Sequence, residues 1–256
     1  MLTEERYQYI LEYLQEHGSV TVAELTGQLG ASESTIRRDL NALGNLGKLS
    51  KVHGGATALH LDFSYVEHPI ETKSKLYVEE KRRIGQYAAQ TIRKDDFLFL
   101  DAGTTTGMMI DYITEPSIQI VTNGFSHAQR LARRGFKVFL IGGQIKTSTE
   151  AVVGSESLRA IAQFHFTKCF LGVNGIGLTS GFTTPDLDEA NVKRAVAQHS
   201  YVTYILADHS KFDKVSSVSF APLSQACILT DREPRTPKFT KHCIIKAISP
   251  EDIAKL

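Results

Sequence analysis

The sequence predicts an α/β chain in two parts: a small helical module closed by a β-hairpin, then a larger, Rossmann-like domain built on a mostly parallel sheet. Three observations carry this reading. Within the first sixty residues, three short patterns of apolar residues recur at helical spacing. From residue 97 onward, seven near-continuous apolar runs of strand length alternate with helical patterns: "FLFLD" (97–101), "IQIVTN" (118–123), "KVFLIGG" (137–143), "KCFLGVNG" (168–175), "YVTYILAD" (201–208), "ACILTD" (226–231) and "CIIKAI" (243–248). Strands apolar on both faces and separated by helices belong to a parallel sheet covered on both sides. Between the two parts, "ALHLDFSYVEHPIETKSK" lacks a sustained period and contains His68-Pro69. The expected organisation is a module over 1–57, a linker over 58–75 and a domain over 76–256.

Composition narrows the class. At 256 residues, 42% hydrophobic and 22% charged, the chain has globular composition, which sets aside disordered and fibrous proteins. No run approaches the roughly 18 apolar residues of a membrane span. The opening "MLTEERYQYI" is acidic where a signal peptide is basic. A cytoplasmic protein with no membrane partner is expected. Three cysteines without a CxxC pair argue against a disulfide framework and a zinc site, and Cys169 within "CFLGV" reads as a packed thiol. Net charge is +1, but it is unevenly placed: residues 1–30 hold one arginine against five carboxylates, residues 31–55 four basic side chains against two acidic ones.

In the first helix Thr3 is available as N-cap, Tyr7, Ile10, Leu11 and Leu14 share a face, and Gly18 is the stop. Thr21 and Glu24 have the spacing of a capping box for a second helix, with Val22, Leu25 and Leu29 inward and Gly30 at its end. Ser32 can cap a third helix whose core positions are Ile36, Leu40 and Leu43. Removing that buried face leaves Glu33, Ser34, Thr35, Arg37 and Arg38 exposed near its N-terminal end. Arginines reach phosphates or guanine edges, and small hydroxyl residues fit close to a groove, so a helix presented to a DNA duplex carries this composition. After Gly47, "KLSKVHGG" reads as a basic hairpin closed by Gly54-Gly55, a wing adding Lys48, Lys51 and His53. Helix, turn, capped helix and basic hairpin in this order form a winged helix–turn–helix. The expected DNA-binding set is Thr21, Ser32, Ser34, Thr35, Arg37, Arg38, Lys48, Lys51 and His53. The bland alternative is a solvated arginine pair neutralised by Asp39 or by the acidic first helix.

In the larger domain, ligands of a parallel sheet bind beyond the carboxyl ends of its strands. "FLFLDAGTTT" ends a strand at Asp101, turns at Gly103 and presents Thr104, Thr105 and Thr106 before a helix expected to start near Met108. Backbone N–H groups and hydroxyls there suit a phosphate dianion. The stretch is neither a Walker motif nor GxGxxG, which disfavours ATP and dinucleotides; a capped turn without ligand is the alternative. Other strand ends supply Asn123, Lys146, Asn174, Asp208 and Lys211. Glu189 and Lys193 lie at i, i+4 in "GFTTPDLDEANVKRA", as a surface salt bridge or as contacts to a ligand's hydroxyls.

"STIRRDL" followed by "LGKLSKVHGGA" resembles the N-terminal signature of the DeoR family of bacterial regulators over about residues 3–57, and the remainder resembles that family's effector domain. The resemblance implies that Ser34, Thr35, Arg37 and Arg38 lie on a recognition helix, that Asp101 and Gly103 to Thr106 form a phosphate and sugar loop, that Asn123 lines the pocket, and that Glu189, Lys193 and Lys211 stand where polar sugar contacts or former catalytic groups sit. It also implies a likeness to phosphosugar isomerases, whose glycine-rich loop after a catalytic lysine has no counterpart here. Binding without catalysis, and without cofactor or metal, is therefore expected. The implied protein is a repressor of a sugar-utilisation operon, a homodimer or homotetramer on double-stranded operator DNA, released by a phosphorylated sugar. "MLTEERYQYIL", "DAGTTT" and "GFTTPD" resemble regulators of fructose operons, which makes fructose 1-phosphate the first candidate, although lactose, glycerol and deoxyribonucleoside regulators share the framework. The rival is a sugar-phosphate isomerase or deaminase with an accessory DNA-binding module. An activator would carry the same parts.

Overall fold

The computed structural model describes residues 2–46, 48–58, 62–64, 69–234 and 236–254. It divides into two compact units, Met1–Phe63 and Ser64–Leu256. The boundary falls inside the stretch 58–75 expected as linker. That stretch is not uniformly irregular: Gly47, residues 59–61 and residues 65–68, with His68, lie outside the described residues, but Ile70–Lys75 is helical.

The first unit runs α1 (Thr3–His17), β1 (Ser19–Thr21), α2 (Val22–Leu29), α3 (Glu33–Asn45), β2 (Leu49–Val52) and β3 (Gly55–Ala58); a short β4 (Asp62–Ser64) follows. Thr3 is not the cap of α1 but its first helical residue. Leu2 is the N-cap, and its backbone N–H donates to Glu5 Oε2 at 2.8 Å. The capping box of α2 is present, with Glu24 N–H donating to Thr21 Oγ1 at 3.2 Å and Thr21 N–H to Glu24 Oε2 at 2.8 Å. Gly30 ends α2 in the left-handed region at φ 59°. Ile10, Leu14, Leu25, Ile36, Leu40, Leu43 and Leu49 form the core. The hairpin pairs Val52 with Gly55, so Gly55 begins a strand rather than the turn. A third strand, β1, lies against β3 with Val20 opposite Ala56. A Cβ on Gly55 would stand 2.1 Å from the Val20 carbonyl oxygen, so only glycine allows this approach.

The second unit opens with α4 (Ile70–Lys75) and α5 (Val78–Gln90) and continues through β5 (Phe97–Leu100), α6 (Thr104–Met109), β6 (Gln119–Thr122), α7 (Phe125–Arg133) and β7 (Lys137–Leu140). The hairpin β8 (Gln144–Lys146) and β9 (Ala151–Val153) precedes α8 (Ser155–Ile161), β10 (Phe166–Gly172), β11 (Gly175–Gly177), β12 (Gly181–Thr184) and α9 (Leu187–Gln198). The chain ends with β13 (Ser200–Leu206), β14 (Lys214–Ser216), β15 (Val218–Ala221), β16 (Cys227–Thr230), β17 (Ile244–Ala247) and α10 (Pro250–Ala254).

The seven apolar runs become one sheet of order β17-β16-β13-β10-β5-β6-β7, parallel throughout. Alternate residues of a strand face opposite sides, and both sides are covered. Phe99, Val121, Cys169, Leu171, Ile205 and Ile228 join one cluster with Ile161, Val192 and Val196 of α8 and α9. Leu98, Leu100, Ile120, Phe170, Leu206 and Leu229 join another with Ile84 and Ala88 of α5 and Met109 of α6. All three cysteines are free of disulfide bonds; Cys169 is buried, and Cys227 and Cys243 are half-buried. A Cβ on Gly85 of α5 would come within 2.7 Å of the Met109 backbone nitrogen, which lets α5 lie directly on α6. Unanticipated is the antiparallel sheet β11-β12-β15, made of segments of three or four residues.

Candidate functional site

In the first unit, α3 presents its N-terminal half to solvent. Arg37 and Arg38 are exposed, as are Ser32, Ser34, Lys48, Lys51, His53 and Thr21, and Thr35 is half-buried. Arg37 Nη2 lies 3.3 Å from Glu33 Oε2, with side chains 59% and 62% exposed. Such a surface pair is worth only a few tenths of a kcal/mol and exchanges readily for a phosphate. Asp39 does not neutralise the arginine pair, because its carboxylate turns inward to Arg6. The hydroxyls of Thr21 and Ser32 are engaged in capping, Ser32 Oγ accepting the Thr35 N–H at 3.3 Å. Gly44 of α3 lies beside the Lys51 stem: a Cβ there would meet Lys51 Cγ and Cδ at 3.3 Å. The hairpin lysine thus runs along the same helix that carries the arginines. Asn41 is exposed one turn after Arg37 on the same face of α3.

In the second unit, a cavity of about 260 Å³ opens beyond the carboxyl ends of β5, β10 and β13. Asp101, Gly103, Thr104, Thr105, Glu189, Lys193 and Lys211 line it, as expected from sequence. The loop after β5 is shaped from within. The helix begins at Thr104, not near Met108, because Gly103 serves as its N-cap. Thr106 is fully buried, and its hydroxyl donates to the Asp101 and Gly103 carbonyls, both at 2.7 Å. Asn123 is buried too; its Oδ1 accepts the Ala102 N–H at 3.1 Å. His127 Nε2 donates to the Gly103 carbonyl at 3.0 Å, and burial lowers its pKa, aided by Arg130. Thr106 and Asn123 therefore hold the loop rather than line the cavity.

Glu189 and Lys193 are not a surface pair. Lys193 reaches across to the buried carboxylate of Asp101, which also accepts the Gly172 N–H at 2.9 Å. Glu189 accepts from Thr149 Oγ1 at 2.7 Å and from Lys146 Nζ at 3.1 Å. Lys146 also contacts Asp186 at 3.1 Å, so it stands behind Glu189 and outside the cavity lining.

The wall that sequence reasoning missed is the most cationic. Lys73 of α4, Lys81 of α5 and Lys214 join Lys211 there, with Tyr77 and Ser210. Burial lowers the Lys81 pKa to about 8, opposed by the charge of Asp208 and reinforced by Lys211 and Lys73. Burial likewise lowers that of Lys211, with Lys73 and Lys214 adding to it and Asp208 opposing. Asp208 is wholly buried, and its Oδ1 accepts the Ser210 N–H at 3.0 Å. Ammonium groups that depress one another in this way are stabilised by a divalent anion between them. The signal for Lys73 and Lys81 lay in the stretch assigned to the linker and on the polar side of α5, and only the fold turns both toward the strand ends. Among the described residues no group of three or more His, Cys, Asp or Glu could hold a metal ion, and no helix is long and apolar enough to cross a membrane.

Comparison with known proteins agrees with this division. A family model described as the DeoR C terminal sensor domain matches residues 77–232, and one for the DeoR-like helix-turn-helix domain matches residues 6–61. The chain is 41% identical to an "Uncharacterized HTH-type transcriptional regulator FruR" of Bacillus subtilis, covering 98% of this chain and all of that one. It is 32% identical to a lactose phosphotransferase system repressor of Streptococcus mutans (90% and 93% covered) and 31% identical to a glycerol-3-phosphate regulon repressor of Escherichia coli (90% and 91%). Among solved structures, ribose 5 phosphate isomerase A from Neisseria gonorrhoeae matches at 17% identity and a TM-score of 0.39, over 57% of this chain and 56% of that one. eIF2B delta from Chaetomium thermophilum matches at 16% and 0.41, over 53% and 49%. The chain spans about half of each.

Proposed function

The chain belongs to the DeoR family of transcriptional regulators, and from that premise we propose that it is the cytoplasmic repressor of a sugar-utilisation operon, released from operator DNA by a phosphorylated sugar. The observation that carries the sugar-phosphate part is the composition of the cavity: lysines 73, 81, 211 and 214 on one wall, and Asp101, Glu189 and Lys193 on the other. The first wall suits a phosphate dianion, the second the hydroxyls of a sugar. Fructose 1-phosphate is the first ligand to test, supported by the likeness to FruR over the full chain.

On the DNA side, Ser34, Thr35, Arg37 and Arg38 would face the major groove while Lys48, Lys51 and His53 on the hairpin hold phosphates. An inverted-repeat site requires at least a dimer. Regulation then needs only that the ligand bind the DNA-incompetent arrangement more tightly, by a few kcal/mol.

The cavity binds rather than converts. Each of its two buried carboxylates already carries a lysine partner, Asp101 with Lys193 and Glu189 with Lys146. Neither is left as the free base that lifts a carbon-bound proton in sugar-phosphate isomerisation.

A thermal-shift panel of sugar phosphates, paired with mobility-shift assays on the operator, tests the reading. Fructose 1-phosphate should raise the melting temperature and release DNA. Stabilisation by unphosphorylated fructose, or turnover of any sugar phosphate, would count against it.

A further inference from the structure

Tyr77 holds a backbone conformation that its side chain disfavours. At φ 52° and ψ 43° it lies in the left-handed region, where a bulky residue persists only if its surroundings over-determine it. Two contacts do so. The Lys81 N–H donates to the Tyr77 carbonyl at 2.9 Å in the first turn of α5. The Tyr77 ring meets that of His209 edge to face, with centroids 5.0 Å apart and planes at 78°.

His209 is itself fixed. Its backbone N–H donates to Asp231 Oδ1 at 2.6 Å, and its Nδ1 to Oδ2 at 2.9 Å. The Asp231 side chain is closed to solvent. His209 begins the short helical turn that brings Ser210 and Lys211 to the cavity. One turn therefore places both a cation of the phosphate wall and the support of the aromatic ring.

For all this fixing, Tyr77 is 41% exposed, and the neighbours Leu76 and Val78 are exposed as well. Leu76 and Tyr77 line the cavity on the side where α4 meets α5. A strained, braced and uncovered aromatic ring beside a cavity of lysines and carboxylates has one surface left to cover, the carbon face of what occupies that cavity. Aromatic rings bring large apolar area at low entropic cost.

We propose that Tyr77, positioned by His209, covers the carbon face of the sugar and so makes the site selective for a phosphorylated sugar over phosphate alone. The proposal rests on the cavity being a sugar-phosphate site, and the test separates the two ideas.

Full-length protein is titrated calorimetrically with fructose 1-phosphate and with inorganic phosphate. Tyr77→Gly, whose residue accepts the left-handed backbone, should weaken fructose 1-phosphate about tenfold while phosphate binding stays within about twofold. Tyr77→Phe should stay within about threefold of the unmodified protein for both ligands. His209→Ala, which keeps the ring but frees it, should lower the preference for fructose 1-phosphate by a smaller factor and leave phosphate unmoved. Equal losses for both ligands in Tyr77→Gly, no loss for either, or an unchanged preference in His209→Ala overturns the assignment. Failure of the unmodified protein to bind either ligand overturns the reading of the cavity itself.

Discussion

Arg6 of α1 grips Asp39 of α3 with two contacts, Nε to Oδ2 at 2.7 Å and Nη2 to Oδ1 at 3.2 Å, and the Asp39 side chain is only 4% exposed. The carboxylate next to the arginine pair in sequence is thus spent inside the module, where it sets how α3 lies against α1. Arg37 and Arg38 keep their charge for solvent or for a duplex. Asp39→Ala should lower the unfolding temperature of this unit by roughly 5 °C, since a small domain loses that much for about 1 kcal/mol. Calorimetry should show the unit carrying the cavity unmoved. An unchanged first transition would mean that the ion pair does not anchor α3.

Arg37→Ala and Arg38→Ala should each weaken operator binding by about tenfold or more, the scale of a lost phosphate or guanine contact, with melting temperatures unchanged. Both side chains are exposed, and neither belongs to the core. Lys48→Ala and Lys51→Ala should instead weaken binding to any duplex and reduce its salt dependence by about one ion each. Mobility-shift assays across a salt series separate these outcomes. Arginine variants with wild-type affinity would remove α3 from the interface.

Affinity for fructose 1-phosphate should peak between about pH 7 and pH 8. On the acid side the ligand loses its second charge, near pH 6 for a phosphate monoester. On the alkaline side the limit is Lys81, whose pKa falls from 10.5 to about 8 because burial disfavours its charge, with Lys211 and Lys73 acting in the same direction. The bound dianion favours the protonated lysine, so binding takes up a proton above pH 8 and weakens as pH rises. The sign for folding is opposite. Between about pH 8 and 10.5 the unfolded chain holds a proton on this lysine that the folded chain has shed, so the ligand-free protein gains stability from it as pH rises. Falling affinity in that range is therefore not unfolding. Titrations of the unmodified protein and of Lys81→Met should differ in the descending limb, of which the variant keeps only the part that Lys211 carries. Identical limbs would exclude Lys81 from the phosphate wall.

The sheet was legible because each of its seven strands is a run of apolar residues, a pattern that burial on both faces forces on the inner strands and that the exposed edge strand β7 shares. Asp101 and the threonines were legible for a related reason: polar residues at the end of a buried strand mark where the sheet opens to solvent. What remained hidden depends on tertiary placement. Glu189 and Lys193 were visible as a helical pair, but that each is satisfied by a different residue, Thr149 with Lys146 and Asp101, follows only from how α9 packs. Lys73 looked like part of a linker, because a six-residue helix with no buried face leaves no apolar period to read. Thr106 and Asn123 carry the residue types of a binding loop and serve as its inner braces. Sequence pattern does not distinguish the two sides of so tight a turn.

Asp101 and Lys193 test whether the ion pair is structural or serves the ligand. Their side chains are 5% and 6% exposed, so removing one partner leaves the other charge buried without compensation. Lys193→Met should destabilise the second unit by about 3 kcal/mol or more, and Asp101→Asn by a similar amount. The double variant should recover most of that loss, because an uncharged pair of comparable volume carries no desolvation penalty. Affinity for fructose 1-phosphate should not recover with it, since the double variant lacks both groups offered to the sugar hydroxyls. Chemical denaturation and ligand titration of the three variants measure the two quantities side by side. If stability and affinity return together in the double variant, the pair serves only to hold α9 against the end of β5, and recognition of the sugar falls to Glu189 and the lysine wall.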